Sequence, residues 1–326
     1  MNIHQKHWAI ALTLCITPLL SLAGLLPGPL VETRWLADNA QSVQIVEVRA
    51  DAKSFLTAPE VKVDKKGKKT IEEIGGHIPG SVLANPKNMR TDRMIGGLKV
   101  QFMIPEAPDF EKYLRQSGLV AGKPIVLVPI GQDLSDINDT LRLYWQLKVY
   151  GEDDVAVLNG GYAAWLLEGR EHSIAPAATA GNYSIKGDRT TQYMATSEDV
   201  QQNIVSKKAA LVDGRDAQQF HGLVTRNYVY APGHIPGARL YPSELMVKNA
   251  DGALKFMPPQ TYRALMSAQG IDPQGAAITY CNSGHLASGP WFVMSELLGN
   301  KEVRLYDGSL HEWTLEKRPV SGAVPL

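Results

Sequence analysis

The chain has 326 residues, of which 44% are hydrophobic and 20% are charged, and its 33 Lys and Arg residues balance 33 Asp and Glu residues. At roughly 100–200 residues per domain, this length predicts two domains. Each is large enough to bury a core without disulfide or metal staples. A balanced charge offers no basic surface for nucleic acid or an anionic membrane, so we expect neither as a partner of the mature protein.

The first 23 residues have the pattern of a secretory signal peptide. A short segment containing Lys6 precedes an apolar run from Trp8 to Leu22, and Ser21-Leu22-Ala23 supplies the small-x-small pattern that signal peptidase reads. We therefore expect residues 1–23 to be removed and the mature protein to be periplasmic. The alternative is an uncleaved membrane anchor, but the run is short for a full span and Pro18 interrupts it.

The sequence contains two cysteines, Cys15 and Cys281. Cys15 lies within the predicted signal peptide, so its removal would leave Cys281 in an oxidising compartment without an intramolecular disulfide partner. A single cysteine in such a protein is either a link between two chains or a free reactive thiol.

Three sequence motifs occur twice, in the same order, which indicates tandem copies of one domain. The repeated pairs are residues 45–55 with 211–220, residues 75–81 with 232–238, and residues 155–165 with 303–313. We place the two copies at residues 35–172 and 193–321. Residues 173–192, rich in Ala, Gly, Thr and Ser, are interpreted as the linker between them.

The second copy alternates short apolar runs with helical patterns. Strands are predicted over residues 209–213, 276–280 and 302–306, and helices over residues 258–270 and 287–299. Strands that alternate with helices predict crossover connections and a mostly parallel sheet. The expected fold class is therefore α/β, with two tandem domains that each have helices on both faces of the sheet.

Cys281 follows a predicted strand, and a predicted helix begins six residues later. The loop between them, Asn282–Leu286, contains Gly284 and cannot continue either element. This arrangement is expected to turn the backbone N–H groups of residues 282–287 toward one point and to stabilise a thiolate there. Gly284 would let the backbone close around a group carried by the sulfur. The alternative is an inert, buried structural cysteine.

These motifs together resemble the rhodanese family of sulfurtransferases. The resemblance rests on "GHIPGA" at residues 233–238, "LVDGRD" at 211–216, the C-x-x-G loop before a helix, and "DGSLHEW" at 307–313, and it covers both copies. It implies that the thiolate of Cys281 attacks the outer sulfur of a donor, that a cysteine persulfide is held by the loop amides, and that a thiophilic acceptor then takes the sulfur. It also implies catalysis without a metal or cofactor.

The resemblance implies one nucleophile, Cys281, and a set of substrate-binding residues. The expected set is Asn282, Ser283, Gly284, His285, Leu286, Ala287 and Arg215. In the first copy, the equivalent loop at residues 128–140 has no cysteine, and Asp133 lies near its place. We therefore expect the first domain to be catalytically silent and to form one wall of the cleft.

The identity of the donor stays open at this stage. Family members that use thiosulfate have cationic residues directly after the cysteine and an arginine after the D-x-R strand end, whereas this chain has Asn282, Ser283 and Gln219 there. His285 is the one candidate cation of the loop. Thiosulfate is the expected donor by family, and 3-mercaptopyruvate is the alternative because the loop lacks a fixed positive charge. A third hypothesis is a non-enzymatic persulfide carrier or docking module for a protein acceptor.

Two supporting residues have competing interpretations. Arg215 could orient the loop or an anionic donor, but we favour a structural ion pair between neighbouring elements. His285 could assist proton transfer or attract anions, or it could be an exposed rim residue. His234 is interpreted as a structural turn residue because His77 repeats it in the silent copy.

A phosphatase with a cysteine loop is a poor fit to this sequence. Phosphatases related to this fold end that loop with an arginine, whereas Ala287 stands six residues after Cys281 and the next arginine is Arg304.

Overall fold

The computed structural model describes residues 25–178 and 180–323, so the predicted signal peptide lies outside the described residues. Among the described residues, none of the helices combines the length and apolar character that a membrane crossing needs. The described chain forms two domains, each built around a five-stranded sheet in which every neighbouring pair of strands is parallel.

The sheet of the first domain has the strand order β1-β9-β8-β2-β5. Its strands are β1 (Leu30–Val31), β2 (Gln44–Val48), β5 (Val82–Ala84), β8 (Ile125–Val128) and β9 (Val155–Leu158). Two antiparallel hairpins are added to it, β3 (Glu60–Val63) with β4 (Lys69–Glu73), and β6 (Thr91–Ile95) with β7 (Leu98–Met103). Its helices are α1 (Thr33–Asn39), α2 (Ala107–Gln116), α3 (Leu134–Val149) and α4 (Gly161–Leu167).

The sheet of the second domain repeats this plan with the order β10-β16-β15-β11-β12. Its strands are β10 (Met194–Ala195), β11 (Ala210–Asp213), β12 (Arg239–Leu240), β15 (Ala277–Tyr280) and β16 (Val303–Tyr306), and β13 (Val247–Ala250) pairs with β14 (Ala253–Phe256) in a hairpin. Its helices are α5 (Thr190–Tyr193), α6 (Ser197–Ser206), α7 (Ala217–Phe220), α8 (Pro259–Ala268), α9 (Ser288–Phe292) and α10 (Ser309–Leu315). A π-helical turn, Val293–Leu297, continues α9.

Helices cover both faces of each sheet, as the alternating strand and helix patterns predict. Along β8, Ile125 and Leu127 point to one hydrophobic cluster, whereas Val126 and Val128 point to another that includes α1 and α4. Because both faces are buried, the strand is a continuous apolar run. The expected α/β fold of two parallel-sheet domains is therefore confirmed.

One hydrophobic cluster belongs to both domains. It contains residues of α2 and α3 from the first domain and of α8 and α9 from the second, together with Cys281. At its centre, Tyr144 on α3 meets Phe292 on α9 edge to face, with the ring centroids 4.9 Å apart, and its hydroxyl donates a hydrogen bond to Glu296 over 2.8 Å. The loop of Cys281 therefore lies where the two domains share a core.

The two histidines of the repeated "GHIPG" motifs have equivalent structural contacts. The ring of His77 stacks on Phe55 and the ring of His234 stacks on Phe220, each with a centroid distance of 3.8 Å. Each histidine also forms a backbone bridge to a serine near the end of its own domain. The structural interpretation of His234 is confirmed by this repetition.

The structure differs from the predicted domain boundaries in two places. The sheet of the first domain already includes Leu30–Val31, which pair with Val157 and Leu158 ahead of the predicted start at residue 35. The predicted linker, residues 173–192, packs along the first domain instead of bridging freely. Tyr183 within it is 2% exposed and its N–H donates to the carbonyl of Leu119 over 3.1 Å.

Candidate active site

Cys281 directly follows β15, which lies between β11 and β16 in the middle of its sheet. The side chain is 1% exposed, and its Sγ accepts a hydrogen bond from the N–H of Ser283 over 3.5 Å. The backbone of Cys281 is held by the next strand-to-helix turn, because its N–H donates to Ser309 Oγ over 3.0 Å and its carbonyl accepts from Leu310 over 3.1 Å. The thiol is therefore fixed at the carboxyl end of a central strand.

Gly284 gives the loop its tight conformation. Its φ angle is +70°, in the left-handed region, and a Cβ there would lie 2.5 Å from Asp307 Oδ1 and 2.7 Å from Arg142 Nη1. Its N–H donates to Ser309 Oγ over 3.0 Å. The expectation that every amide of residues 282–287 faces the sulfur is thus wrong at Gly284, whose amide holds the loop to the protein.

Other amides of the loop remain available. In the segments 25–178 and 180–323, no acceptor receives the N–H groups of Asn282, His285, Leu286 or Ala287. Buried backbone N–H groups are rarely left unpaired in folded proteins. Uncommitted donors next to a cysteine therefore suit an anionic group bound at or on the sulfur.

Cys281 lines a cavity of about 430 Å³. The cavity contains four of the expected substrate-binding residues, Asn282, Ser283, His285 and Leu286. Gly284, Ala287 and Arg215 are not among its lining residues. The remaining lining residues are Leu134, Ser135, Asn138, Gly214, Asp216, Gln219, Arg226, Asn227, Tyr228, Ser243 and Glu244.

Arg215 forms a buried ion pair instead of lining the cavity. It is 1% exposed, and its Nη2 lies 2.7 Å from Asp213 Oδ2, while Nη1 reaches Asn282 Oδ1 at 3.4 Å. In the first domain, Arg49 forms the same kind of buried pair with Glu47 over 2.6 Å. The ion pair is structural, as the sequence favoured, but its partner is Asp213 at the end of the same strand and not a residue of a neighbouring element. Arg215 contacts the loop through Asn282.

His285 connects the loop to the first domain. Its Nε2 lies 2.8 Å from Asp139 Oδ1 on α3, and its side chain is 17% exposed. Burial lowers the pKa of His285, the hydrogen bond with Asp139 opposes this, and the guanidinium groups of Arg90 and Arg142 lower the pKa further. The lowered pKa favours the neutral imidazole, and the contact with Asp139 means that His285 is not a freely exposed rim residue.

Comparison with known proteins identifies the family. The model of the rhodanese-like domain matches residues 32–168 and 196–316. The chain belongs to the rhodanese family. The matched segments correspond to the two domains of the structure, and the cavity of Cys281 belongs to the second rhodanese domain.

Two relatives match this chain over most of its length and of their own. The protein named sulfur carrier protein TtuD of Thermus thermophilus is 30% identical over 301 residues, which cover 88% of this chain and 94% of that protein. A protein of Mycolicibacterium smegmatis named "Putative thiosulfate sulfurtransferase" is 29% identical and covers 80% of this chain and 91% of its own length.

Solved structures confirm the fold. The Tum1 protein of Saccharomyces cerevisiae has a TM-score of 0.70 at 20% identity, over 91% of this chain and 99% of that one. An anaerobic ergothioneine biosynthesis enzyme of Chlorobium limicola has a TM-score of 0.71 at 21% identity, over 91% of this chain and 71% of that one. Among the described residues of the present rhodanese, no three His, Cys, Asp or Glu side chains are grouped as metal ligands.

Arg226 and Tyr228 are site residues that the sequence reasoning missed. Exposed Arg226 places a fixed positive charge on the cavity wall, although the loop itself has none. Burial and the nearby charge of Cys281 raise the pKa of Tyr228, whereas the neighbouring side chain of Ser283 lowers it. Both residues follow β11, whose carboxyl end lies beside that of β15. The rule that ligands bind at carboxyl ends of parallel strands would have pointed to this segment.

The first rhodanese domain contributes one wall through α3. Leu134, Ser135 and Asn138 line the cavity, while Asp139 and Arg142 contact the loop. Positions 135, 138, 139 and 142 lie on one face because residues three and four apart are neighbours on a helix. No motif of the silent copy marks these residues, so the sequence offers no way to find them individually.

Proposed function

We propose that this rhodanese is a sulfurtransferase that moves sulfane sulfur from a donor such as thiosulfate to a thiophilic acceptor through a persulfide on Cys281. The observation that carries the proposal is the placement of the Cys281 thiol in a cavity beside loop amides that have no acceptor among the described residues. The relatives named as a thiosulfate sulfurtransferase and a sulfur carrier protein support it.

The proposed reaction has two displacement steps. In the first, the thiolate of Cys281 attacks the outer sulfur of thiosulfate, a new S–S bond forms, the S–S bond of thiosulfate breaks, and sulfite leaves with the bonding electron pair. In the second, a nucleophilic acceptor attacks the outer sulfur of the persulfide and the thiolate is regenerated. The uncommitted amides of the loop would stabilise the negative charge on the persulfide without reorganisation.

The charges around the cavity support an anionic donor. Arg226 lines the wall, and half-buried Arg90 lies within electrostatic range of Cys281. Of the two acidic residues in the wall, Asp216 already accepts hydrogen bonds from the backbone and side-chain amides of Gln219. We therefore propose thiosulfate as donor, with 3-mercaptopyruvate as the alternative because it also carries an anionic carboxylate.

The test of function is sulfur transfer by Cys281→Ser. Wild-type protein is expected to produce thiocyanate from cyanide with thiosulfate or 3-mercaptopyruvate, and Cys281→Ser is expected to lose this activity. Cys15→Ser is the matched control and should retain it. Thiocyanate formation by Cys281→Ser at the wild-type rate would contradict the proposal. The ratio of kcat/KM values for the two donors decides between them.

A second candidate function is that of a persulfide carrier, which the name of the Thermus thermophilus relative favours. Both functions would add about one sulfur atom to Cys281 after exposure to thiosulfate, so only turnover separates them. A single burst of product, equal to the protein concentration and without further turnover, would identify the carrier. Continued product formation would identify the enzyme.

Export is a separate proposal that rests on residues 1–23 alone. If the segment is a cleaved signal, protein recovered from the periplasm will begin at Gly24. N-terminal sequencing measures this directly, and recovery of the uncleaved chain in the membrane fraction would instead support an anchor.

A further inference from the structure

A buried ion pair joins the silent domain to the loop of Cys281. Nη1 of Arg142 on α3 lies 2.5 Å from Oδ1 of Asp307, which follows β16 in the other domain, and the two side chains are 0% and 1% exposed. The other oxygen of Asp307 accepts the backbone N–H of Ile104 over 2.8 Å. The first domain thus contacts both carboxylate oxygens of Asp307, with an ion pair at Oδ1, which has no hydrogen-bond partner among the described residues, and a hydrogen bond at Oδ2.

The same arginine holds the loop at Gly284. Nη1 of Arg142 donates to the carbonyl of Gly284 over 3.0 Å, and Ser309 Oγ accepts the N–H of Gly284 over 3.0 Å. Gly284 is therefore fixed on both its carbonyl and its amide side, in a left-handed conformation. It lies between Ser283, whose N–H donates to the sulfur, and His285, whose N–H has no acceptor among the described residues. A rotation at Gly284 would redirect both amides.

The contacts of Arg142 leave part of its buried guanidinium without hydrogen-bond partners, so they contribute little to the stability of the fold. Its Nε and Nη2 are buried and have no hydrogen-bond partner in the part of the chain that the structure describes, and its guanidinium lies over the ring of Trp145 at 4.6 Å. By contrast, Arg215 uses Nε, Nη1 and Nη2. A buried charge with unpaired donors costs free energy, so an arginine here needs a reason beyond packing.

We propose that Arg142 of the silent domain is a positioning residue for the active loop: together with Asp307 it fixes the Gly284 carbonyl and so sets the direction of the amides around the Cys281 sulfur. The first domain then contributes the charged side chain of Arg142 to the active site, in addition to forming one wall of the Cys281 cavity. The inference depends on the proposed function in one respect only, the identity of the group that the Cys281 sulfur carries.

The direct test is the pH dependence of Cys281 alkylation by iodoacetamide in Arg142→Met. Loss of the arginine frees the Gly284 carbonyl and leaves the negative charge of Asp307 unpaired near the sulfur, so the midpoint of the alkylation profile should move to higher pH. The charged and titratable neighbours of Cys281, namely Arg90, Arg215, Tyr228 and His285, keep their side chains in this variant. The pKa values of Arg90 and His285 lose the lowering effect of Arg142, and the Arg142→Lys variant, which keeps the charge, separates this effect from the loss of the loop contact.

Arg49→Met is the matched control. Arg49 is a buried arginine of the same domain, paired with Glu47, and it makes no contact with the loop. Its replacement is expected to lower the unfolding temperature without moving the alkylation midpoint. An unchanged midpoint in folded Arg142→Met, or an equal shift in Arg49→Met, would overturn the proposal.

Two further variants cover the case in which Arg142→Met does not fold. Arg142→Lys keeps the charge but loses the planar fork, so its midpoint should lie above that of wild type. Asp307→Asn keeps an acceptor for Ile104 but loses the ion pair that holds Arg142 against the Gly284 carbonyl, so its kcat should fall as that of Arg142→Met does. A wild-type midpoint in Arg142→Lys, or a wild-type kcat in Asp307→Asn, would contradict the proposal.

Kinetics separate positioning from substrate binding. A misplacement of about 1 Å in an active site can cost on the order of 100-fold in rate. We expect Arg142→Met to lower kcat by about this factor with little change in the KM of the donor, and a raised KM at normal kcat would assign Arg142 to binding instead. Alkylation needs no sulfur donor, so it still tests the loop if the wild type transfers no sulfur.

Discussion

At the scale of single residues, Gly284 shows how closely the loop is fitted. Its φ of +70° and the atoms of Asp307 and Arg142 within 2.7 Å of an ideal Cβ leave no room for any side chain. Gly299 has nearly the same φ, +73°, but no atom lies within 4 Å of its ideal Cβ. A comparison of alanine substitutions at these two positions therefore distinguishes the cost of a left-handed backbone from the cost of a steric clash.

We predict that Gly284→Ala loses most of its sulfur transfer, whereas Gly299→Ala keeps it. A left-handed backbone costs each alanine roughly 1–2 kcal/mol of stability, but only at position 284 must the Arg142–Asp307 pair also move. Thiocyanate formation and thermal unfolding of both variants measure the two effects. Equal activity losses would show that strain alone is responsible.

Glu312 on α10 is a buried carboxyl whose proton affects stability. Burial raises its pKa to about 7; the nearby hydroxyl of Tyr306 opposes this and the charge of Glu316 adds to it. Because the folded protein binds this proton more tightly than the unfolded chain does, the stability it contributes is present below pH 4.5 and is lost as the pH rises through about 7.

Glu312→Gln should therefore unfold at higher urea concentration than wild type at pH 8, by up to about 3 kcal/mol in the free energy of unfolding. The difference should disappear near pH 4.5, where wild-type Glu312 is protonated. Glu302→Gln changes an exposed glutamate and serves as the control. A difference between wild type and Glu312→Gln that is constant with pH would contradict the assignment.

At the scale of elements, the two strand-loop-helix units diverge in how their loop amides are used. In the silent domain, Asp136 Oδ1 accepts from Gly131 over 3.0 Å, and Oδ2 accepts from Gln132 and Asp133, each over 3.2 Å. In the second domain, several loop amides have no acceptor among the described residues. The loop amides of the first domain are thus taken up by a carboxylate of the same loop.

A cysteine alone should therefore not activate the silent loop. We predict that Asp133→Cys, made in the Cys281→Ser protein, gains no sulfur from thiosulfate, because Asp136 still occupies the amides. Intact mass before and after exposure to thiosulfate measures this, with wild type as the positive control. An increase of about 32 Da over the parent Cys281→Ser would contradict the argument.

At the scale of the whole molecule, the two domains share a hydrophobic core, which predicts that they unfold as one unit. Phe292 on α9 is 0% exposed and packs against Tyr144 of the first domain and Phe256 of the second. Chains whose parts share a buried core unfold cooperatively, whereas independent domains give separate transitions.

We predict a single calorimetric transition that Phe292→Ala moves as a whole, with a loss of roughly 3–5 kcal/mol. Val205→Ala on α6, where the side chain is 80% exposed, is the control and should leave the transition in place. Two separated transitions in wild type, or a shift of one half of the heat absorption only, would show that the domains fold independently.

The sequence alone was enough to predict the repeated α/β domains and the place of Cys281 at the end of a strand. Apolar periodicity and glycine or proline at element ends are local properties, so the predicted strands at 209–213, 276–280 and 302–306 agree with β11, β15 and β16 to within a residue at each end. The rhodanese motifs are local in the same way, which is why the family was visible before the fold.

The tertiary structure decided what surrounds the sulfur. Arg142 meets Gly284 across 142 positions of the chain, and Arg226 reaches the cavity only because β11 and β15 are neighbours in the sheet. Sequence motifs could not show that the guanidinium of Arg215 is paired with Asp213 and does not line the cavity. Such contacts join residues that are far apart in the sequence. They form only when the two domains pack together, so local sequence patterns do not determine them.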